Sequence, residues 1–179
     1  VLAFKINQNM EIRFQASPEE TAGMQTDELR KHFLCEDLIG KDQINMVYSH
    51  YDRMIVGGTS PLKKELVLDA DPELRAGYFL EKREIGLLNV GGKGLVPADS
   101  GKFEMEKLSC LSLGKGTKRV QFSSSDAADP AVFYFLSAPA HAVFPSRLMN
   151  KEEASPVNMG TVETSNQRTI YKYIHAEGI

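Results

Sequence analysis

Cysteine is scarce: Cys35 and Cys110 are the only two in 179 residues, and they share no metal-ligand spacing. That argues against a disulfide framework and a thiolate metal site, and for buried or partly buried thiols in a reducing compartment. Neither sign of charge dominates. With 21 Lys and Arg against 24 Asp and Glu, the net charge is −3, so there is no electrostatic footprint for nucleic acid or an anionic membrane. The densest basic groupings, Lys63-Lys64 and Lys115 to Arg119, are too short to argue otherwise. No apolar run approaches membrane-spanning length, and the opening Val-Leu-Ala-Phe-Lys does not make a secretory signal, so a cytoplasmic protein is expected. Histidine is rare too. His32, His50, His141 and His175 are the four present and no two stand at ligand spacing, which makes them a poor zinc set. What remains, 42% hydrophobic and 25% charged residues, is ordinary for a globular chain long enough to bury one sizeable core. The chain opens without Met and stops at Gly178-Ile179 just after a strand-like segment, and a piece of a longer protein is expected.

Helical patterning is nearly confined to Thr21 to Leu38, where Thr26 or Asp27 is a candidate cap ahead of Leu29, His32, Phe33 and Leu34. Before it, the alternating Met10-Glu-Ile-Arg-Phe14 reads as an N-terminal arm or edge strand. From Gln43 onward short apolar or alternating runs recur between glycine and proline turns. They are Ile44 to Tyr51, Asp52 to Gly58, Leu62 to Leu68, Leu95-Val96, Lys102 to Met105, Leu108 to Leu113, Lys118 to Ser123 and Ala131 to Ser137. Such spacing predicts an all-β antiparallel sandwich or barrel. Beyond Pro145 a polar, proline-containing connection leads to one further strand at Arg168–Ile174. The expected division is an arm over 1–25, a barrel over 26–147, and a linker with the first strand of another unit over 148–179.

The stretch Tyr78–Gly94 organises the rest. Glu84 is followed after six mostly apolar residues by Gly91, as in a barrel strand that ends in a tight turn with glycines at positive φ. Glu-x6-Gly is also the closing half of the first cupin motif. The places of that motif's opening His-x-His hold Tyr78 and Leu80, or Gly77 and Phe79 in the shorter register. Gly101 to Phe122 resembles the second cupin motif, with Arg119 near the place of its histidine; a guanidinium has no lone pair to offer a cation.

Further blocks narrow the resemblance. They are Met46 to Gly58 (Met-Val-Tyr-Ser-His-Tyr-Asp-Arg-Met-Ile-Val-Gly-Gly), Phe79 to Gly86, Leu113-Gly-Lys-Gly116, Ser137-Ala-Pro-Ala-His141 and Ser165 to Tyr173. In this order, from about Leu29 to the end, they resemble the 5-keto-4-deoxyuronate isomerase (4-deoxy-L-threo-5-hexosulose-uronate ketol-isomerase) family of bicupin sugar isomerases in pectin and uronate breakdown. The resemblance implies a cupin-type jelly-roll barrel, the metal-free N-terminal half of a bicupin. It also implies zinc held by residues beyond position 179, a homo-hexamer, and interconversion of 5-dehydro-4-deoxy-D-glucuronate and 3-deoxy-D-glycero-2,5-hexodiulosonate. The fragment alone is then inactive. Two other readings stay open: the sister isomerase acting on 5-deoxy-glucuronate in inositol catabolism, and a metal-free structural or sugar-binding cupin.

Within the chain no metal ligand is expected, and the catalytic candidates are His50, Arg53 and His141. His50 and Asp52 share a face if their segment is a strand, with Arg53 on the other; a local hydrogen-bonded cluster is the plain alternative. His141 follows a proline and belongs on a rim loop. Arg168 and Lys172, four apart on one strand face, are the candidates to meet a uronate carboxylate, against a domain-interface salt bridge. Cupin geometry aims Glu84 into the barrel, where it needs a cationic partner, with Arg119 expected and Arg53 as substitute.

Overall fold

A computed structural model describes residues 8–175. Its strands are β1 (Gln8–Arg13), β2 (Ile39–Lys41), β3 (Ile44–Ser49), β4 (Ile55–Ser60), β5 (Leu66–Val67), β6 (Arg83–Asn89) and β7 (Gly94–Ala98). They continue with β8 (Gly101–Met105), β9 (Cys110–Leu113), β10 (Gln121–Ser124), β11 (Phe133–Pro139), β12 (Arg147–Met149), β13 (Val157–Met159) and β14 (Arg168–Ile170). One large sheet runs β1-β3-β4-β11-β6-β9-β12, with β2 adding a short parallel pairing to β4, and a smaller sheet runs β5-β10-β7-β8. After β4 the chain passes between the sheets repeatedly, so that β6, β9 and β11 lie in the large one while β5, β7, β8 and β10 lie in the small one. Two mainly antiparallel sheets wound in this alternating way make a jelly-roll barrel, the all-β sandwich or barrel that the strand spacing predicts and the cupin type that the resemblance implies. Among the described residues no helix is long and apolar enough to cross a membrane.

The core lies between the sheets. The large sheet contributes Ile44, Met46, Ile55, Ile85, Leu87, Leu111, Phe133 and Phe135, and the small one Leu66, Val96, Met105 and Phe122. Phe122 bridges them, with ring centroids 5.3 Å from Phe133 and 6.2 Å from Phe135. Side chains alternate in and out along β6, and Arg83, Ile85, Leu87 and Asn89 take the buried face. At the far end of the strand, Asn89 Nδ2 donates to Gly92 O at 2.7 Å and to Met105 O at 2.8 Å. Its Oδ1 accepts from the N–H groups of Gly91 and Val132, both at 3.2 Å.

Several local expectations change. The helical stretch is two helices, α1 (Pro18–Gly23) and α2 (Thr26–Phe33), neither burying a residue. Ser17 caps α1, its Oγ accepting from Glu20 N while Glu20 accepts from Ser17 N. At α2 the cap is Gln25, whose N–H donates to Glu28, and Thr26 is already helical. Gly91 and Gly92 are required for close approach rather than for positive φ. A Cβ at Gly92 would lie 2.1 Å from Asp129 O, and one at Gly91 2.5 Å from Pro130 O.

Candidate functional site at one end of the barrel

The polar end of the core begins with the β3–β4 connection. Asp52 and Arg53 have φ values of 52° and 54°, and Met54 N closes the turn on Tyr51 O at 3.3 Å. Positive φ at both central residues is the type I′ geometry that suits the twist of a hairpin. His50, Asp52 and Arg53 therefore lie in or beside a turn, and the expected division of their side chains between two strand faces does not apply.

The turn presents the Arg53 carbonyl to Arg83. Arg83 Nη2 donates to Arg53 O at 2.7 Å and to Ser137 O at 2.8 Å, while Nε donates to Ser137 Oγ at 3.1 Å. Ser137 Oγ in turn donates to Glu84 O at 2.6 Å. The guanidinium stands 5.8 Å from the centroid of the Tyr48 ring, a cation–π placement. Tyr48 meets His50 edge-on at 5.2 Å, and His50 stacks on Phe14 at 4.6 Å. Arg83 is only 7% exposed, and no carboxylate pairs with it among the described residues. Burial pushes its pKa down to about 10, Tyr48 opposing and Arg53 adding to the fall, so it keeps its charge at neutral pH. A cavity of about 190 Å³ opens beside it, with Arg53 and Lys82 also on its wall.

Glu84 is the main correction. It lies on the outer face of β6, half-buried, and neither it nor the exposed Arg119 forms an ion pair among the described residues. The inward charge at this end of the barrel is Arg83, one residue earlier. Glu84 instead borders a groove of about 430 Å³ where Tyr173 and Ile174 lie against β6, β9 and β11. Tyr173 OH donates to Leu108 O there. Burial pushes the Cys110 thiol, also on that groove, up to about 11.

His50 and Arg53 are thus brought to the Arg83 end. His141 is exposed on the loop after β11, edge-on to Phe144 with centroids 6.0 Å apart. Arg168 opens β14, in a two-stranded ribbon with β13 whose residues are all exposed, and it bonds Asn166 Oδ1. Because β14 ends at Ile170, Lys172 shares no strand face with Arg168; its N–H donates to Ala154 O at 2.7 Å. No three His, Cys, Asp or Glu side chains are arranged to hold a metal among the described residues. Arg83, Ser137 and Tyr48 were not candidates from the sequence. The signal for Arg83 was there: counting back in twos from Leu87 and Ile85 reaches it.

The sequence profile of the KduI/IolB family matches residues 33–179. The chain belongs to that family. Among its relatives, a 4-deoxy-L-threo-5-hexosulose-uronate ketol-isomerase of Halalkalibacterium halodurans is 47% identical over 170 residues, covering 95% of this chain and 62% of the relative. Proteins of the same name are 44% identical in Caldicellulosiruptor bescii, over 95% of this chain and 62% of the relative, and 46% identical in Bacteroides fragilis, over 93% and 59%. This KduI/IolB chain therefore spans about 62% of the length of the first two. Among solved structures, an IolB-like protein from Salmonella typhimurium superposes with a TM-score of 0.51 at 18% identity, covering 66% of this chain and 43% of that one. At that identity the likeness speaks for the fold alone.

Proposed function

We propose that this chain is the N-terminal, metal-independent barrel of an isomerase interconverting 5-dehydro-4-deoxy-D-glucuronate and 3-deoxy-D-glycero-2,5-hexodiulosonate. The observation that carries this is 47% identity, across 95% of the chain, to a protein named for that ketol-isomerase activity. The reaction moves a proton between adjacent carbons through an enediol, so it needs a base and a means of polarising the oxygens. The zinc that the family resemblance implies does not fit the described side chains, whose histidines are dispersed and whose cupin motif positions hold Tyr78, Leu80 and Arg119. We assign metal and base to the remainder of the protein, and no step is placed on this barrel. The enzyme works as a cytoplasmic homo-hexamer, with this barrel as scaffold for its second cupin half.

Turnover by the full-length protein tests the reading. Incubation with 5-dehydro-4-deoxy-D-glucuronate, followed by proton NMR, should show conversion to the 2,5-diulosonate. Conversion of 5-deoxy-glucuronate in its place would move the assignment to the sister isomerase, and turnover of neither would overturn it. The exposed cation Arg168 is the substrate-carboxylate candidate that a variant probes most directly, with Lys172 second. Arg168→Ala should raise KM about tenfold with kcat little changed if a charged hydrogen bond to substrate is lost. An unchanged KM would remove Arg168 from the site.

A further inference from the structure

We propose that the barrel end around Arg83 is a binding site for a small carboxylate, apart from any isomerase centre. Among the described residues Arg83 is a buried cation without a counter-ion, and proteins seldom leave one so. Its guanidinium has five N–H donors. Nε and Nη2 are spent on Ser137 and on the Arg53 carbonyl, whereas Nη1 makes no hydrogen bond among the described residues. Arg83 lines the cavity of about 190 Å³, which suits a small organic molecule.

The charge on the cavity wall is lopsided. Arg53 and Lys82 stand there with Arg83 against a single carboxylate, Glu73. Arg53 is exposed and forms no ion pair among the described residues, and Lys82 reaches only a 4.0 Å pairing with Glu81. The two cations are thus available to an incoming anion, while Arg83 is held in place by three hydrogen bonds. Tyr48, Phe79 and Pro139 supply an apolar lining, which favours a carboxylate on a carbon skeleton over a fully hydrated inorganic anion. A pre-positioned guanidinium fork is the donor that such a group selects.

The test is thermal unfolding of the full-length protein with sodium acetate or sodium D-glucuronate replacing sodium chloride at constant ionic strength, and with inorganic phosphate as a third arm. Both carboxylates should raise Tm saturably, beyond chloride and beyond phosphate. Lys82→Ala and Arg53→Ala, surface changes, should each weaken the apparent acetate affinity by roughly twofold to fivefold. Arg83→Lys, which keeps the charge but loses the fork, should weaken it by about tenfold or more; should that variant unfold, the two surface variants carry the test. No carboxylate effect beyond chloride, a stronger phosphate response, or an acetate response unchanged in both surface variants would each overturn the proposal. Because none of these readouts involves turnover, the site stands or falls separately from the isomerase reading.

Discussion

At the scale of single residues, an alternating strand turns a one-position difference into a change of side. Glu84 and Arg83 are neighbours, yet one borders the outer groove and the other closes the core. Arg83 ties three segments together, since its donors end on the β3–β4 turn and on β11. Arg83→Met keeps the volume but leaves those acceptors without a donor, so urea unfolding should show a loss of about 1–3 kcal/mol. The desolvation released with the charge works against that loss, and a variant as stable as the parent would mean that the two cancel. Cys110 gives a pH-dependent counterpart. Burial raises its pKa from the ordinary 9.0 to about 11, so above pH 9 the unfolded chain gives up this proton while the folded one holds it. Its contribution to stability is complete below the unfolded value and drains away as pH rises through the folded one. Cys110→Ala should therefore flatten the fall in stability between those two values. In native protein near neutral pH, Cys110 should also resist alkylation while the partly exposed Cys35 reacts, both becoming reactive in denaturant. Equal native rates would contradict the burial.

Among the elements, what the sequence made legible was the run of short strands and their turns. The β3, β4, β8, β9 and β11 runs stand where apolar patterning and glycine punctuation place them. The misreadings came from residue polarity being read where strand alternation or turn geometry was the deciding fact. Glu81-Lys82-Arg83-Glu84 is charged throughout, so polarity alone could not say which of the four points inward. At Asp52-Arg53 the turn lacks the Asn-Gly pair that usually announces type I′ geometry, and the segment read as strand. That turn yields a prediction. L-residues other than asparagine and aspartate hold positive φ at a cost of about 1–2 kcal/mol each, so Arg53→Gly, made together with Asp52→Asn to complete the preferred pair, should raise stability by about 1 kcal/mol. The Arg53 carbonyl, and with it the bond to Arg83, survives the change. A loss of stability would show that the Asp52 or Arg53 side chain does more than occupy the turn. Gly57 is the converse case on β4. A Cβ there would lie 2.2 Å from Cζ of Phe135, and neither the sheet backbone nor a core ring packed on Phe122 can yield that far. Gly57→Ala should cost about 1–3 kcal/mol or more in urea unfolding.

For the molecule as a whole, burial is concentrated along the middle of the large sheet and falls away towards both ends of the chain. β4 is buried at five of its six positions, and β6 and β11 alternate around the core residues Ile85, Leu87, Phe133 and Phe135 while pairing over seven residues. By contrast α1 and α2 bury nothing, and every residue of the β13–β14 ribbon is exposed. Opening a segment costs what it has buried plus the hydrogen bonds it gives up, less the chain entropy regained. The helices and the ribbon should therefore open at a small fraction of the global unfolding free energy, while β4, β6 and β11 open only with the whole barrel. Amide hydrogen exchange at neutral pH gives the measurement. Peptides covering 18–33 and 157–170 should exchange orders of magnitude faster than those covering 55–60, 83–89 and 133–139. The segment at 173–174 should lie between them, because the Tyr173 hydroxyl is anchored to Leu108 and Ile174 lies over Gly86. Tyr173→Phe removes that anchor, and it should speed exchange at the end of the chain without touching the central strands. Protection of the ribbon equal to that of β11 would mean that another surface covers it in solution, and would contradict its being an independent, weakly held unit.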